Sequence, residues 1–379
     1  MDIVNEEYNK IVEVTCQELL DIMDVSVLKK VKDIVKGMMG RSVRTKDPMF
    51  WPAGMLMLGL VTAAECAQDT FEQDKSGESE VANEVSDYIK NKAMAAVSSH
   101  VDRWIRDYNG KIDFVDDALA GFCFVKAYEL TGEEKYKDAA DKIAQFILTA
   151  PRDDQGTIIY NPGRNSANIF ADGIGQVSMF MAAYTTEFPD SDLNTSSGKR
   201  LDACRQIENF FKMGVDKKSG LNYHGYSLSD NQRKGLLGWG RAYGWLFMGV
   251  AEAACAVSSN GSDSYFNVTG LYRQMVSTAL EYQRQDGGWS WQMQAFDGHI
   301  DMSATGMILY SIARGYRAGI IGREYDEAME KAKKCIEEHV QNGLVHDVLS
   351  SCDDFGVHYQ TYGHYPWGQG AILAALSFK

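Results

Sequence analysis

Six segments of the chain share one pattern, and their repetition constrains the fold more than any other feature. Each is an apolar run rich in small residues that opens with an aromatic, Asp or Arg residue beside a glycine. The runs begin near Phe50, Val115, Phe170, Trp239, Asp301 and Tyr365. Successive starts lie 65, 55, 69, 62 and 64 residues apart. This spacing fits a unit of one outer and one inner helix that is repeated six times.

The stretches between these runs have the pattern of amphipathic helices. Apolar residues recur three or four positions apart with Lys, Asp and Glu between them, over residues 6–35, 81–108, 133–148, 198–213, 266–284 and 323–340. The small-residue runs predict inner helices that are packed on most of their surface, because Gly, Ala and Ser let helices approach closely. We therefore predict an all-α fold, an (α/α)6 barrel that forms a single catalytic domain over residues 1–379.

Composition and charge exclude several classes of partner. The formal net charge is −14, which disfavours nucleic acid and anionic membranes, because binding to both depends on Lys and Arg. The N-terminus, MDIVNEEYNK, lacks the pattern of a secretory signal, and the apolar runs fall short of a membrane span. Seven scattered cysteines without a CxxC pair favour buried thiols in a reducing compartment. We expect a cytoplasmic monomer or homodimer.

Acidic residues stand at the start of two inner helices, at the end of the barrel that we call the mouth. Asp172 lies in FADGIGQ, and Asp116 and Asp117 lie in FVDDALAGF. Two carboxylates from different helices that face one cavity suit acid–base chemistry on glycosides, because burial and repulsion separate their pKa values. Adjacent helical side chains point about 100° apart, so at most one of Asp116 and Asp117 faces the mouth. Helix capping is the alternative for each of the three.

Aromatic and polar residues accompany these acids at the other starts and in the loops before them. The rings of Trp and Tyr stack on sugars, and Arg241 in WGRAYGW suits bidentate pairing with a carboxylate. An aromatic core with a structural ion pair is the alternative for this motif, and capping by Asp301 is the alternative for Ser303 and Thr305. The candidate substrate-binding residues are Asp117, His224, Trp239, Arg241, Tyr243, Trp245, Trp291, Ser303, Thr305 and Trp367.

Cofactor motifs do not appear in the sequence. There is no HExxH pattern, and His299, His358 and His364 stand apart from Cys and His partners along the chain. The sequence also lacks a dinucleotide fingerprint, a Walker A motif and a GxSxG motif. We therefore predict no metal and no cofactor. Three long polar loops, over residues 149–170, 217–238 and 341–364, are the places where we expect functional groups.

Several of these motifs together resemble the unsaturated glucuronyl and rhamnogalacturonyl hydrolases, glycoside hydrolase families 88 and 105. The motifs are FADG at Phe170, the Asp116–Asp117 pair followed by Gly121, HGY at His224, WGRAYGW at Trp239, SAT at Ser303 and GQG at Gly368. They occur in the family order from about Phe50 to the C-terminus.

The resemblance implies a six-hairpin barrel and an unusual reaction. The implied substrate is a short oligosaccharide whose non-reducing uronic acid carries a C4=C5 double bond left by a polysaccharide lyase. By position, Asp172 is the general acid and base that protonates C4 and helps water reach C5. Asp116 matches the second carboxylate, with Asp117 as the alternative. Arg241 matches the partner of the uronate carboxylate.

Two motifs depart from the family pattern, at three positions. Ala242 and Tyr243 replace a usual Gly-Asn pair, so that tyrosine bulk is expected to reshape the uronate subsite, and Asp301 stands where Glu is usual. These changes leave room for a conventional glucuronidase, or another (α/α)6 carbohydrate enzyme, that acts on saturated uronides. A non-catalytic sugar-binding toroid is the second alternative.

Overall fold

The computed structural model describes residues 3–24, 47–73, 80–160, 168–195, 202–260, 267–353 and 355–378. Parts of the predicted outer helices, residues 25–35, 198–201 and 266, lie outside the described residues. Twelve long helices occur in the described part of the chain, and outer (odd-numbered) and inner (even-numbered) helices alternate. The outer helices are α1 Ile3–Asp21, α3 Glu80–Tyr108, α5 Glu134–Thr149, α7 Ala203–Met213, α9 Val268–Glu281 and α11 Asp326–Glu338. The inner helices are α2 Trp51–Gln73, α4 Ala118–Thr131, α6 Ala171–Glu187, α8 Gly240–Asn260, α10 Met302–Arg317 and α12 Pro366–Ser377.

The inner helices form a closed ring. Each packs on the next in chain order from α2 to α12, and α12 packs on α2. Each outer helix packs on an inner neighbour: α3 on α2, α5 on α4, α7 on α6, α9 on α8, α11 on α10, and α1 on both α2 and α12. The predicted (α/α)6 barrel is therefore confirmed.

The predicted starts of the inner helices agree closely with the structure. Five inner helices begin one residue after the predicted position, and α4 follows a 3-10 turn, Val115–Asp117, that begins at the predicted residue. The agreement follows from composition, because the inner helices are buried on almost every side and their apolar runs end where the polar loops begin. None of the described helices is both long enough and apolar enough to cross a membrane.

Glycines set the spacing between neighbouring inner helices. A Cβ atom on Gly175 of α6 would clash with the backbone oxygen of Trp245 on α8, and one on Gly370 of α12 would clash with the backbone oxygen of Met55 on α2. A Cβ atom on Gly249 of α8 would lie 2.7 Å from the backbone oxygen of Gly175. The helix backbones at these crossings are therefore in direct contact.

Short strands lie in the connections at the mouth. Strands β1 Asn168–Phe170, β2 Gly225–Ser227 and β3 Arg233–Lys234 form an antiparallel sheet in the order β1–β2–β3. Between α11 and α12 lie β4 Val340–Gln341, β5 Leu344–Val345, β6 Val348–Leu349, β7 Cys352–Asp353, β8 Val357–His358 and β9 Tyr362–Gly363, paired as β4–β5, β6–β9 and β7–β8. These strands occupy the three loops in which functional groups are expected.

Buried charges lie toward the opposite end of the barrel. Arg314 in the last turn of α10 donates to both carboxylate oxygens of Glu252 on α8, over 2.8 and 3.1 Å. The hydroxyl of Tyr310 donates to the same carboxylate over 2.6 Å. Because these charges are paired and hydrogen-bonded, they hold α8 against α10 without leaving a lone buried ion.

We expect Gly175→Ala to destabilise the barrel, because the added methyl group forces α6 away from α8. Overpacking of this kind costs about 1–3 kcal/mol of unfolding free energy, measurable by urea denaturation. Gly363→Ala is the matched control, since its Cβ atom would meet nothing nearer than 3.9 Å. Equal stability of the two variants would contradict the assigned role of Gly175.

Candidate active site

The β1–β2 pairing brings the chain around Asp172 to His224. The register pairs Ile169 with Tyr226 and Phe170 with Gly225, and the next backbone bond runs from the amide of Ala171 to the oxygen of His224 over 2.9 Å. Gly225 is required here, because a Cβ atom would clash with the backbone oxygen of Ile169. Asp172 follows one residue later, in the first turn of α6.

Asp172 and His224 contact each other within an aromatic enclosure. Atom Nε2 of His224 lies 3.0 Å from Oδ2 of Asp172, and the exposed fractions of the side chains are 3% and 16%. The edge of the His224 ring meets Trp239, with ring centroids 4.5 Å apart. Phe170 stacks on Phe355 at 4.2 Å, and both rings lie edge-on to His224. The carboxylate thus lies against the imidazole, and its partial exposure leaves it accessible to a ligand.

Asp116 is a second carboxylate near Asp172. Its Oδ2 accepts a hydrogen bond from the hydroxyl of Tyr160 over 3.1 Å, and its Oδ1 is buried without a hydrogen-bond partner among the described residues. The pKa of Asp116 is raised to about 6, chiefly by burial and also by the charges of Asp47 and Asp172, against the effect of the Tyr160 bond. The environment of Asp116 therefore makes its ionisation harder than that of an exposed carboxyl group.

Asp117 is hydrogen-bonded to the loop that precedes it. It is fully buried, and its Oδ2 accepts the backbone amides of Asp113 and Phe114 over 3.1 and 3.3 Å. Burial holds its pKa well above the ordinary value, and the charges of Asp47 and Asp116 act in the same direction. Of the adjacent pair, Asp117 orders the loop before α4, while Asp116 is the residue placed beside the site.

Arg241 joins the start of α8 to the chain between α11 and α12. Its guanidinium donates to the backbone oxygens of Leu349 and Ser350 over 2.8 and 2.9 Å. It also lies 4.9 Å from the ring centre of Trp239 and 5.6 Å from that of Trp367. The exposed fraction of Arg241 is only 2%. Two nitrogens of the guanidinium group thus already bind backbone oxygens. In this conformation the group has no free pair of N–H donors for a bidentate contact with a ligand.

Ser303 and Thr305 take part in hydrogen bonds at the start of α10, as expected from the capping alternative. Oδ1 of Asp301 accepts the amide and the hydroxyl of Ser303 over 2.9 and 2.6 Å, and also the amide of Leu349 over 3.1 Å. The hydroxyl of Thr305 accepts the amide of Trp289 over 3.0 Å. All of these side chains are buried. They fix the start of α10 and the loop beside it rather than line an open surface.

Tyr243 does not face the mouth. Its hydroxyl donates to the backbone oxygen of Met275 on α9 over 2.6 Å, and the ring is fully buried. The Tyr243 ring, which stands in the place of the usual Asn, is therefore directed at the outer helix α9. The expectation that it reshapes a uronate subsite has no support in this geometry.

Tryptophans from three inner helices meet at the mouth. The ring of Trp51 at the start of α2 lies 6.2 Å from Trp245 of α8 and 4.9 Å from Trp367 of α12. Tyr365 stacks on Trp367 at 4.6 Å. Trp291, which is partly exposed, approaches His358 at 6.1 Å. These rings offer apolar faces of the kind that stack on sugar C–H surfaces.

Sequence reasoning missed five residues that the structure adds to this region: Asp47, Tyr160, Cys352, Phe355 and His358. Four of them lie in the long loops that were expected to be functional, but irregular loops have no periodicity that singles out one side chain. The interpretation of His358 as remote from Cys and His partners is wrong. It lies with His224 and Cys352, and one potential ligand atom of each falls within 4.8 Å of the others.

A family model and a curated relative match nearly the whole chain. The model of the Glycosyl Hydrolase Family 88 matches residues 29–377. The unsaturated rhamnogalacturonyl hydrolase YesR of Bacillus subtilis is 21% identical over 362 residues, which cover 92% of this chain and 94% of YesR.

Solved structures share the fold. A possible member of the GH105 family from Klebsiella pneumoniae has a TM-score of 0.71 at 17% identity, covering 100% of this chain and 93% of its own. An unsaturated glucuronyl hydrolase specific for heparin has a TM-score of 0.67 at 13% identity, covering 98% and 95%. At these identities the likeness concerns the fold alone.

We expect Asp116→Asn to stabilise the protein above pH 6 and not below pH 4. A folded-state pKa of about 6 against an ordinary value of about 3.9 means that ionising Asp116 opposes folding as the pH rises through this window. The amide removes that cost, which is about 2–3 kcal/mol at 1.36 kcal/mol per pH unit. Unfolding free energies at pH 7.5 and pH 4.5 measure the difference. The exposed Asp138→Asn serves as control, and a gain for Asp116→Asn that is equal at both pH values would contradict the assignment.

Proposed function

Because the chain belongs to the Glycosyl Hydrolase Family 88, we propose that it releases a 4,5-unsaturated uronic acid from the non-reducing end of oligosaccharides produced by polysaccharide lyases. The names of YesR and of the heparin-specific neighbour support this substrate class. The single observation that carries the proposal is the pair of carboxylates, Asp172 on His224 and Asp116 beside it, at the mouth of the barrel.

The proposed reaction adds water across the C4=C5 bond of the uronic acid. A proton adds to C4, and the positive charge that develops is shared between C5 and the ring oxygen. The oxygen of water then bonds to C5 and gives up a proton, which forms a hemiketal. The hemiketal opens at the bond between C5 and the ring oxygen, and the hemiacetal left at C1 expels the rest of the oligosaccharide as an alcohol.

In this mechanism Asp172 is the general acid and base. It gives its proton to C4 and then, as a carboxylate, takes the proton from the attacking water. Nε2 of His224, 3.0 Å away, holds the carboxyl group in one orientation for both steps. Asp116 is the second carboxylate, and above its pKa of about 6 its negative charge stabilises the cation that develops at C5.

Arg241 supplies positive charge for the uronate in this proposal. Since its nitrogens already bind the oxygens of Leu349 and Ser350, its effect is that of a buried charge near the ligand rather than a direct fork. Such a charge acts strongly in a buried site where little water screens it. The partly exposed rings of Trp51 and Trp291 provide stacking surfaces for the sugars, and the buried rings of Trp239 and Trp367 support them from behind.

The remaining expectations from the sequence stay predictions. They are a single catalytic domain over residues 1–379, a cytoplasmic location and a monomer or homodimer.

We expect Asp172→Asn to lower turnover at least ~100-fold, because the amide can neither donate the proton to C4 nor accept one from water. Loss of the ultraviolet absorbance of the C4=C5 bond reports the reaction on lyase-generated disaccharides. The fold is checked by the unfolding temperature, and the exposed Asp138→Asn is the control. Near-normal turnover of a folded Asp172→Asn variant would remove this residue from the mechanism. Release of a saturated uronic acid, with no reaction of the unsaturated one, would favour the conventional glucuronidase instead.

We expect Arg241→Gln to raise KM for the anionic uronide at least ~10-fold, which corresponds to about 1.4 kcal/mol of lost charge interaction. Arg241→Lys keeps the positive charge, so its effect on KM should be smaller. The methyl ester of the same unsaturated substrate is neutral, and its KM should change little in either variant. An equal rise for the acid and the ester would mean that Arg241 acts only through the loop that it binds.

A further inference from the structure

We propose that His224, Cys352 and His358 form a binding site for a soft divalent transition-metal ion of the Zn²⁺ type. One potential ligand atom of each residue lies within 4.8 Å of the other two. Two imidazoles and a thiolate are the donors that Zn²⁺ prefers, and three protein ligands with one further position are a common arrangement around it. The site combines the loop before α8 with the β7–β8 hairpin.

The backbone holds Cys352 and His358 together. The two residues are directly opposite each other in the antiparallel β7–β8 pair. Directly opposed residues keep their Cβ atoms about 4.5–5.5 Å apart, so both side chains leave the hairpin side by side. Their juxtaposition therefore depends on strand pairing rather than on the choice of side-chain rotamers alone.

Each histidine keeps a ring nitrogen available to a ligand. Nε2 of His224 is engaged with Asp172, and its Nδ1 is buried without a hydrogen-bond partner among the described residues. Nε2 of His358 is likewise buried without such a partner. Buried polar groups are normally paired, so an unpaired ring nitrogen on each of two clustered histidines calls for a ligand. His224 itself is only 3% exposed.

The third ligand, the thiol of Cys352, must lose its proton when it binds a metal ion. Burial raises the pKa of the Cys352 thiol to about 11, while the positive charge of Arg241 opposes this shift. A bound cation reverses the preference, since the thiol gives up its proton to the solvent as the metal–sulfur bond forms. Zn–N and Zn–S bonds of about 2.0 and 2.3 Å place tetrahedral ligands roughly 3.3–3.7 Å apart, so a small closure of the hairpin completes the site.

The contact of His224 with Asp172 gives this site a functional consequence, which rests on the proposed function. A histidine that binds a metal through one nitrogen commonly donates its other N–H to a carboxylate. Because His224 contacts Asp172, an ion bound to His224 would place positive charge beside the carboxyl group. The proposed reaction develops positive charge on the substrate at this place, so the bound ion should slow hydrolysis.

The test uses Co²⁺ as a spectroscopic substitute for Zn²⁺ on the full-length protein. We expect one equivalent of Co²⁺ to give the visible bands of a tetrahedral site and an ultraviolet thiolate-to-cobalt band, both removed by added Zn²⁺. Cys352→Ser should abolish the thiolate band and weaken binding at least ~10-fold, and His358→Gln should weaken binding similarly. Cys204→Ser, which changes a partly buried thiol outside the cluster, should leave both signals intact.

Either of two results would overturn the proposal: no tetrahedral Co²⁺ spectrum, or binding that Cys352→Ser and His358→Gln leave unchanged while both variants remain folded. Hydrolysis measured with and without one equivalent of Zn²⁺ tests the consequence separately. Binding of Zn²⁺ without inhibition would refute the effect on Asp172 and leave the site established. An absence of hydrolysis in the metal-free protein would instead contradict the proposed function, so the two failures are distinguishable.

Discussion

Direct backbone contact between inner helices is the constraint on which the rest of the structure depends. At Gly175 and Gly370 the neighbouring helix occupies the space of a side chain, so six helices close into a ring around their own apolar faces. The buried charged side chains then lie toward the two ends of the ring. One end is filled by the ion pairs of Arg314 with Glu252, and the other carries the candidate active site.

Closure also gathers the N-terminal ends of the inner helices. Asp116 precedes α4, Asp172 and Arg241 lie in the first turns of α6 and α8, and Trp367 opens α12. The N-terminal end of a helix carries a partial positive charge of roughly half a unit. In a protein with a net charge of −14, these helix ends and the buried Arg241 offset part of the negative charge of Asp116 and Asp172 at the mouth.

The fold could be predicted from the sequence because the inner and outer helices differ in composition along their whole length. Glycine-rich apolar runs and charged amphipathic runs alternate, and this alternation is a local property. The sequence also singled out Asp172, His224 and Trp239, because they stand where a helix begins or beside a distinctive motif. The structure brings these three side chains together, and their roles stay predictions. The roles of Tyr243 and Asp117 were not accessible in this way, since an outer-helix carbonyl and a preceding loop decide where these side chains point.

Contacts made by residues in the loops, in contrast, could not be predicted from the sequence. Nothing local relates His358 to His224, which is more than a hundred residues away, and only the β7–β8 register and the closure of the barrel bring them together. Tyr160 likewise reaches Asp116 across 44 residues of chain. Contacts of this type depend on three-dimensional arrangement, and a single sequence carries no signal for them beyond the length and polarity of the loops.

The packing of α12 on α2 has a consequence for how the molecule is made. These two helices are about three hundred residues apart in the chain, so the ring is completed only after the final helix has left the ribosome. Until then the nascent chain holds five of six hairpins with an uncovered apolar wall on α2 and α10, a surface of the kind that chaperones bind. Synthesis therefore passes through a long open intermediate, and assembly of the mouth is its last event.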